Sequence, residues 1–335
     1  MNRRTFLTGS CGLLASAALP TALGGCVSIG GAGGAEKKPD PFANRGKFEL
    51  LNVSYAHIHV GIEQPFSLLH ISDTHLTAAY PDESEKKRIV SEARTNGCFG
   101  GMQERSLRDA LGWAKARCDF VLHTGDLIDF QSRANYDLVK KYFGDGFMTG
   151  CMGNHEFSPE MWLSKPGETR SEAFKDRTRQ DLAKVYPFDL SLHSREVNGV
   201  NFVMLDDVYG YVTAAQVEKF KAEVAKGSPI ILCMHVPFYT EGITRCVAKF
   251  WQNSPKKYRD AATHLAKYTT DAEFRFQREE PVTRDFIAYL KSEKLLKGIL
   301  SGHLHFAFEE RFSPTAVQYV APGNFLFAAR EVLVD

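Results

Sequence analysis

The chain has no cysteine pattern that would indicate a disulfide scaffold or a zinc knuckle. Seven cysteines occur among 335 residues, and no two of them form a Cys-x-x-Cys pair. The sequence also has no excess of either charge, since 41 Lys and Arg residues oppose 40 Asp and Glu residues, for a formal net charge of +1. This balance indicates no nucleic-acid or strongly acidic partner. Any attraction for an anionic ligand must therefore be local.

Beyond its first residues the chain has no apolar run long enough to span a bilayer. Residues 1–26 predict a signal peptide, because Arg3-Arg4 precede small and apolar residues from Leu7 to Leu23. Leu23-Gly24-Gly25-Cys26 resembles the lipobox of bacterial lipoproteins. We expect export through the twin-arginine pathway to the periplasm or cell envelope. A lipid anchor at Cys26 is one hypothesis, and a cleaved signal or a short uncleaved anchor is the alternative.

Residues 27–45 are rich in Gly, Ala, Lys and Pro and predict a flexible tether. The folded domain is expected over residues 46–335, with a first strand at Phe48–Val53. Strand-like runs then alternate with helical patterns such as Met102–Arg117, which indicates layered sheets covered by helices. Thr213–Ala225 predicts a helix that Thr213 caps.

Three segments have less regular patterns. Residues 75–102 are polar and predict an irregular loop, either at the rim of a site or as a solvated excursion. Residues 157–185 are mostly helical in pattern, and a helix over Thr283–Leu296 should return the chain to the last core strand. Between them, residues 239–281 mix aromatic and basic side chains. We interpret this stretch as a helical insertion that caps the site, with ordinary helix packing as the alternative.

Polar side chains follow five strand-like runs, and these endings dominate the sequence. They are Asp73 and His75 after Phe66–Ser72, Asp126 and Asp129 after Phe120–Thr124, Asn154, His155 and Glu156 after Phe147–Met152, His235 after Pro229–Met234, and His303 and His305 after Gly298–Ser301. Because ligands collect outside the carboxyl ends of strands in α/β sheets, we expect these endings to converge. Imidazole and carboxylate ligands without thiolate favour Mn, Fe, Zn, Ni or Co over Ca or Mg. The sequence therefore predicts a centre for two transition metal ions.

In this order the five motifs resemble those of the calcineurin-like metallophosphoesterases. The resemblance implies an α/β fold, a layered αββα-type sandwich of two mixed β-sheets flanked by helices, with the helical insertion before the last metal motif. It also implies that one metal is held by Asp73, His75, Asp126 and His305, and the other by Asp126, Asn154, His235 and His303. Asp126 would then be the bridge.

The resemblance further implies that His155 is not a ligand but a general acid or transition-state stabiliser. A bridging hydroxide would attack phosphorus, and the protein would be a phosphomonoesterase or phosphodiesterase acting on a small phosphate ester. Two divalent ions, two carboxylates and a hydroxide leave a charge of about +1, which attracts an anionic ester. Asp129 and Glu156 are interpreted either as carboxylates that orient other site groups or as local turn and surface residues. His70 and His123 should be packed and hydrogen-bonded within the core.

The substrate class stays open at this point. Gly153-Asn154-His155-Glu156-Phe157 resembles the motif of 5′-nucleotidases, although no room is expected for their C-terminal substrate domain. Cyclic-nucleotide phosphodiesterases usually have Asp where Glu156 stands, and protein Ser/Thr phosphatases have arginines that Phe130 and Met152 do not match. The balanced charge gives no support for an exonuclease. The alternative of another class is a non-catalytic envelope protein that binds phosphate groups, and the complete set of motif residues favours the enzyme.

Overall fold

The computed structural model describes residues 48–159, 172–250 and 281–335. The predicted signal peptide and tether, and most of the predicted insertion at 239–281, lie outside these residues. Among the described helices, none is both long enough and apolar enough to cross a membrane.

The first sheet has five strands in the order β1-β11-β2-β3-β4. These strands are β1 (Asn52–Ile58), β2 (Phe66–Ile71), β3 (Phe120–Thr124), β4 (Met148–Cys151) and β11 (Ala328–Val334). Strands β2, β3 and β4 run parallel, whereas β11 is antiparallel to β2 and parallel to β1. The carboxyl ends of β2, β3 and β4 therefore meet at one edge.

The second sheet has six strands in the order β5-β6-β7-β8-β10-β9. They are β5 (Leu192–Val197), β6 (Val200–Leu205), β7 (Ile230–Cys233), β8 (Leu296–Ser301), β9 (Phe308–Arg311) and β10 (Val317–Val320). The central strands β6, β7, β8 and β10 are parallel, and the outer strands β5 and β9 are antiparallel to their neighbours. Both sheets are thus mixed, as predicted.

Helices cover the outer faces of the two sheets. In the described residues they are α1 (Glu85–Gly97), α2 (Gln103–Arg117), α3 (Arg133–Phe143), α4 (Glu172–Leu182), α5 (Ala214–Val224), α6 (Glu241–Phe250) and α7 (Pro281–Ser292). Helix α2 packs on strands β2, β3 and β11 of the first sheet. Phe220 of α5 and Phe286 and Leu290 of α7 pack on the second sheet. The layered α/β sandwich is therefore confirmed.

The main core lies between the two sheets. Phe66, Leu68 and Phe120 of the first sheet are buried against Phe202 and Ile231 of the second. Each sheet thus buries apolar side chains on both faces, which accounts for the near-continuous apolar runs at the central strands. This packing fixes the edge at which the strand ends of both sheets come together.

Several predicted elements are confirmed in position. Strand β3 has the predicted bounds, Phe120–Thr124. Thr213 caps α5 through a capping box, in which its hydroxyl accepts from the Gln216 N–H and the Gln216 side chain accepts from the Thr213 N–H. The helix predicted at Thr283–Leu296 instead occupies Pro281–Ser292, because Leu296 begins strand β8.

The first strand and the loop over residues 75–102 were predicted wrongly. Strand β1 starts at Asn52 and not at Phe48, because it pairs residue by residue with β11 from Ala328 onwards. The polar segment after His75 contains helix α1, which Ser84 caps by accepting from the Lys87 N–H. The buried face of α1 includes Arg94 as well as Val90, so this helix lacks the apolar periodicity that would predict it.

Candidate metal centre

The loops after β2 and β3 are bonded to each other through their backbones. The N–H of Asp73 donates to the carbonyl of Gly125 at 3.0 Å, and the N–H of His75 donates to the carbonyl of Asp126 at 2.9 Å. Both loops leave parallel neighbouring strands, so the pairing continues past the end of the sheet. Asp73, His75 and Asp126 are thereby placed side by side and are almost fully buried.

Five of the candidate ligands have a left-handed backbone. Their φ angles are 54° at Asp73, 54° at His75, 57° at Asp126, 71° at His303 and 63° at His305. Such angles are uncommon for residues other than glycine, and Asp and His adopt them more readily than branched residues. Strained conformations of this kind cluster at functional sites. The sharp backbone reversals let alternate residues of Asp-x-His and His-x-His turn toward the same point.

Two glycines, Gly125 and Gly153, allow the loops around Asp126 to approach closely. A Cβ on Gly125, whose φ is +90°, would lie 2.6 Å from His235 Nδ1 and 2.7 Å from the Gly153 nitrogen. A Cβ on Gly153 would overlap the carboxylate and backbone nitrogen of Asp126. A side chain at Gly125 would therefore collide with His235 and Gly153, and a side chain at Gly153 would displace Asp126.

A first group of potential ligands consists of Asp73, His75 and His305. The Nε2 atoms of His75 and His305 are 3.2 Å apart, and Asp73 Oδ1 lies 3.4 Å from His305 Nε2 and 3.9 Å from His75 Nε2. Asp73 Oδ1 is buried and accepts no hydrogen bond from the described residues. The ligand atoms lie within 4.8 Å of one another, as a shared cation requires.

A second group consists of Asp126, His235 and His303, with Asn154 beside them. His235 Nε2 lies 3.3 Å from Asp126 Oδ2, 3.2 Å from Asn154 Oδ1 and 3.2 Å from His303 Nδ1. The other ring nitrogen of His235 donates to the carbonyl of Thr124 at 2.7 Å, so Nε2 is the atom that faces the group. The structure therefore brings together all seven side chains that the sequence nominated as metal ligands.

Asp126 joins the two groups. Its Oδ2 lies 3.3 Å from His235 Nε2 and 3.9 Å from His75 Nε2, whereas its Oδ1 accepts the N–H of His155 at 2.8 Å. Burial would raise the pKa of Asp126, but His235, His155 and His75 outweigh burial and hold it well below its usual range. An ionised carboxylate between two sets of imidazoles is the arrangement that a bridging ligand needs.

The pKa values of the histidines indicate which rings could bind a cation without first losing a proton. Burial, together with a neighbouring histidine in each case, lowers the pKa of His75 to about 4 and that of His303 to about 3, so both rings are neutral at pH 7. For His235, burial is outweighed by Asp126, and the pKa rises to about 10. A proton and a metal ion compete for the same imidazole nitrogen, so metal binding should release the proton of His235. Imidazole, carboxylate and amide ligands suit a transition metal.

His155 differs from the candidate ligands in its surroundings. Its Nδ1 lies 2.9 Å from the carbonyl oxygen and 3.0 Å from Oδ1 of Asp129, and its Nε2 points toward Asp126 Oδ2 at 3.9 Å. Burial would lower the pKa of His155, but Asp126 and Asp129 outweigh it and raise the pKa to about 9. His155 therefore carries a proton at neutral pH. Its Nε2 is also within metal-binding reach of His75 and Asp126.

Asp129 does not lie on the surface but faces two histidines of the site. Its Oδ1 is 3.0 Å from the Nδ1 atoms of both His75 and His155, and Arg94 donates to both carboxylate oxygens at 2.5 Å. Burial would raise the pKa of Asp129, but Arg94 and His155 outweigh it and hold the pKa well below its usual range. Of the two interpretations made from sequence, the structure favours the carboxylate that orients histidines.

Glu156 is buried beneath the same loops. Its carboxylate accepts the N–H groups of Asp126, Leu127, Ile128 and Gly153, at 2.9, 2.7, 3.3 and 2.8 Å, and the hydroxyl of Tyr186 at 3.2 Å. One side chain thus ties the loop that carries Asp126 to the loop that carries Asn154. The interpretation of Glu156 as a surface residue is excluded by this geometry.

Other histidines lie outside the two groups. His70 and His123 are buried in strands β2 and β3 and bond to the hydroxyls of Thr124 and Thr74, each at 2.9 Å, as expected. Sequence reasoning missed Arg94 and also Asp207, whose carboxylate accepts the backbone N–H of His235 at 3.0 Å. No local pattern marks either residue, because each acts only on a distant part of the chain.

The chain is similar to several known proteins. The sequence profile of the family described as calcineurin-like phosphoesterase matches residues 66–307. A protein of Psychrobacter arcticus named "Probable cyclic nucleotide phosphodiesterase" is 27% identical over 205 residues, which cover 56% of this chain and 67% of that protein.

Solved structures of low sequence identity are also similar to the chain. A dimetal phosphatase from Danio rerio is 15% identical, with a TM-score of 0.42, and the match covers 78% of this chain and 88% of that one. A 5′-nucleotidase from Candida albicans is 10% identical, with a TM-score of 0.36, and the match covers 82% of this chain but only 47% of the nucleotidase. Because the family profile spans most of the sequence, from β2 to the His303–His305 motif, the chain belongs to the calcineurin-like phosphoesterases, metal-dependent hydrolases of phosphoric esters.

Proposed function

We propose that the protein hydrolyses phosphoric esters with a dinuclear metal centre. The first metal ion would be held by Asp73, His75, Asp126 and His305, and the second by Asp126, Asn154, His235 and His303. The observation that carries this proposal is the position of Asp126, whose Oδ2 faces imidazoles of both groups at 3.3 and 3.9 Å. The rings of His75 and His303 are neutral at pH 7, so each can offer a nitrogen lone pair to a cation. Asp73 Oδ1 accepts no hydrogen bond from the described residues and can likewise bind a cation.

The side chains of the centre have separable tasks. When bound, the metal ions would supply positive charge to the phosphoryl oxygens and lower the pKa of a water molecule to about 7. Asp73 and Asp126 are buried, and their negative charges would offset part of the positive charge of the two metal ions. Asp126 and Asp129 raise the pKa of His155, and its Nδ1 faces Asp129, so His155 would donate the proton of Nε2 to the leaving oxygen.

For the substrate we propose a small phosphodiester as the first class and a phosphomonoester as the second. The name of the Psychrobacter arcticus relative supports the diester. In the sequence, Glu156 differs from the Asp that is usual in cyclic-nucleotide phosphodiesterases. In the structure, Glu156 is buried and accepts hydrogen bonds from loop backbones. Glu156 therefore holds the loops of the site together and does not argue against a cyclic-nucleotide substrate.

The test combines metal analysis with two ester substrates. Protein loaded with Mn²⁺ would be assayed against bis-p-nitrophenyl phosphate and p-nitrophenyl phosphate, and its metal content measured per chain. We expect two ions per chain and faster hydrolysis of the diester. The variant Asp126→Asn should lose activity, whereas Asp137→Asn, at a half-exposed position on α3, should not. Full activity with one ion per chain would contradict the dinuclear centre, and bound metal without hydrolysis would favour the phosphate-binding alternative.

The N-terminal residues support a separate proposal about location. We propose that the protein is exported by the twin-arginine pathway and is either released or anchored at Cys26 in the cell envelope. The support is the arginine pair, the small apolar segment and the lipobox-like residues in the sequence. Mass spectrometry of protein from the membrane fraction would test this: a diacylglyceryl group on Cys26 supports the anchor, and an intact N-terminus in the cytosol contradicts export.

A further inference from the structure

The carboxylate of Asp129 accepts hydrogen bonds from two histidines, the candidate ligand His75 and the candidate general acid His155. Asp129 Oδ1 lies 3.0 Å from Nδ1 of His75 and 3.0 Å from Nδ1 of His155. A carboxylate oxygen can only accept, so each Nδ1 carries a hydrogen, and each Nε2 is turned toward Asp126. A rotation of the Asp129 carboxylate would misplace both rings at once. The plane of this carboxylate is therefore a determinant of the whole centre.

Arg94 of helix α1 sets that plane. Its Nε and one terminal nitrogen donate to Oδ2 and Oδ1 of Asp129, each at 2.5 Å. A guanidinium group bonded through two parallel donors fixes the orientation of a carboxylate, which a lysine ammonium cannot do. Both side chains are shielded from water, so the pair is not loosened by solvent.

Phe99, just beyond the end of α1, completes the arrangement. The Arg94 guanidinium lies 4.8 Å from the centre of the Phe99 ring, and this ring stacks on the His75 imidazole at 4.9 Å with an interplanar angle of 15°. The backbone carbonyl of Arg94 also accepts the N–H of Phe99 at 3.1 Å. Arg94, Asp129, His75 and Phe99 thus contact one another in a closed ring, which we call the Arg94 ring.

We infer that Arg94 and Phe99 are positioning residues of the phosphoesterase reaction, which fix Asp129 so that it holds His75 and His155 with Nε2 toward the centre. This inference rests on the function proposed above. Helix α1 carries none of the family's metal motifs, so we expect it to contribute to the reaction through the Arg94 ring.

The test uses Arg94→Lys, which keeps the charge and loses the two-donor geometry. Arg88→Lys, at an exposed position on the same helix, is the matched control. We expect Arg94→Lys to lower kcat about 10- to 100-fold at saturating metal while KM changes little. Phe99→Leu should lower kcat by a few-fold and serves as the second variant if Arg94→Lys folds poorly. The double variant Arg94→Lys/Asp129→Asn should be no slower than Asp129→Asn, because Arg94 acts through Asp129.

A second readout does not depend on turnover. In Zn²⁺-loaded protein with ¹⁵N-labelled histidine, the Nδ1–H signals of His75 and His155 should be sharp, and Arg94→Lys should broaden or remove them. Unchanged ring signals, an unchanged kcat, or losses that multiply in the double variant would overturn the inference. If the wild-type protein hydrolyses no ester, the proposed function fails, and the ring signals alone decide whether the Arg94 ring positions the histidines.

Discussion

Glu156→Gln should destabilise the protein far more than a change of one atom suggests. Four backbone N–H groups and the hydroxyl of Tyr186 point at the Glu156 carboxylate. Burial and the neighbouring Asp126 raise the pKa of Glu156 to about 7, while the backbone donors favour the ionised form. Four of its five bonded neighbours in the described structure are backbone N–H groups, which can only donate. Among these neighbours only the Tyr186 hydroxyl could accept the hydrogen of a protonated carboxyl, so we expect Glu156 to be ionised in the native protein above pH 7.

The expected loss follows from counting acceptors. Glutamine keeps one acceptor oxygen, which can still serve Leu127 and Ile128, but its amide nitrogen would face the N–H groups of Asp126 and Gly153. Each buried donor left without an acceptor costs about 1–3 kcal/mol, so the variant should lose about 2–6 kcal/mol of unfolding free energy. At about 2–4 °C per kcal/mol for a domain of this size, Tm should fall by roughly 4–24 °C.

The assay is urea and thermal unfolding at pH 8 and a fixed concentration of Mn²⁺. Glu92→Gln, an exposed change of the same chemistry on α1, is the control and should stay within about 0.5 kcal/mol of wild type. If Glu156→Gln were as stable as wild type, the carboxyl would be protonated in the native state. The account of Glu156 as an ionised acceptor for both loops would then be refuted.

Three further predictions concern the site and the core. His155→Gln should lower kcat by about 10² to 10⁴-fold while metal content by elemental analysis stays at the wild-type value; a variant that loses metal would instead indicate a ligand. Asp126→Asn should reduce the content of both metal ions in the same analysis, and loss of only one ion would contradict a bridging role. His70 is buried, and burial lowers its pKa to about 3 from 6.5. The unfolded chain therefore binds the proton first, and stability is lost as pH falls below 6.5, by about 1.4 kcal/mol per pH unit. His70→Gln should flatten the pH dependence of unfolding between pH 6.5 and 5 by that amount, whereas Val139→Ala should lower stability without changing the slope.

The candidate ligands could be predicted from sequence because each follows its strand directly. Once β2, β3 and β4 are parallel neighbours in one sheet, and β7 and β8 in the other, the carboxyl ends within each sheet must lie on one edge of that sheet. The residue types at those ends then define the chemistry. The spatial relation needed no knowledge of loop geometry.

Helix α1 and its arginine could not be predicted in the same way. The contact between Arg94 and Asp129 joins residues 35 positions apart, and nothing in the local pattern distinguishes Arg94 from the other basic residues of α1. A polar residue on a buried helix face also weakens the apolar period that marks a helix. Residues that position the ligands through distant contacts are therefore harder to predict from sequence than the ligands themselves.

The start of β1 shows a second limit. Residues 48–51 have an apolar character typical of a strand, yet strand formation depends on a partner. That partner is β11, and the register with Ala328 determines that β1 begins at Asn52. Local propensity gives way to pairing when the two conflict.

The position of β11 in the first sheet also determines when that sheet can be completed during protein synthesis. β11 lies between β1 and β2, and Ser54 bonds to Ala329, 275 positions further along the chain. At about 5–20 residues per second, a ribosome needs on the order of 15–55 s to cover that interval. Throughout it, the nascent β1 and β2 have edges without their native neighbour, which is a condition that invites misassembly. The first sheet is therefore complete only once β11 has been synthesised and inserted between β1 and β2.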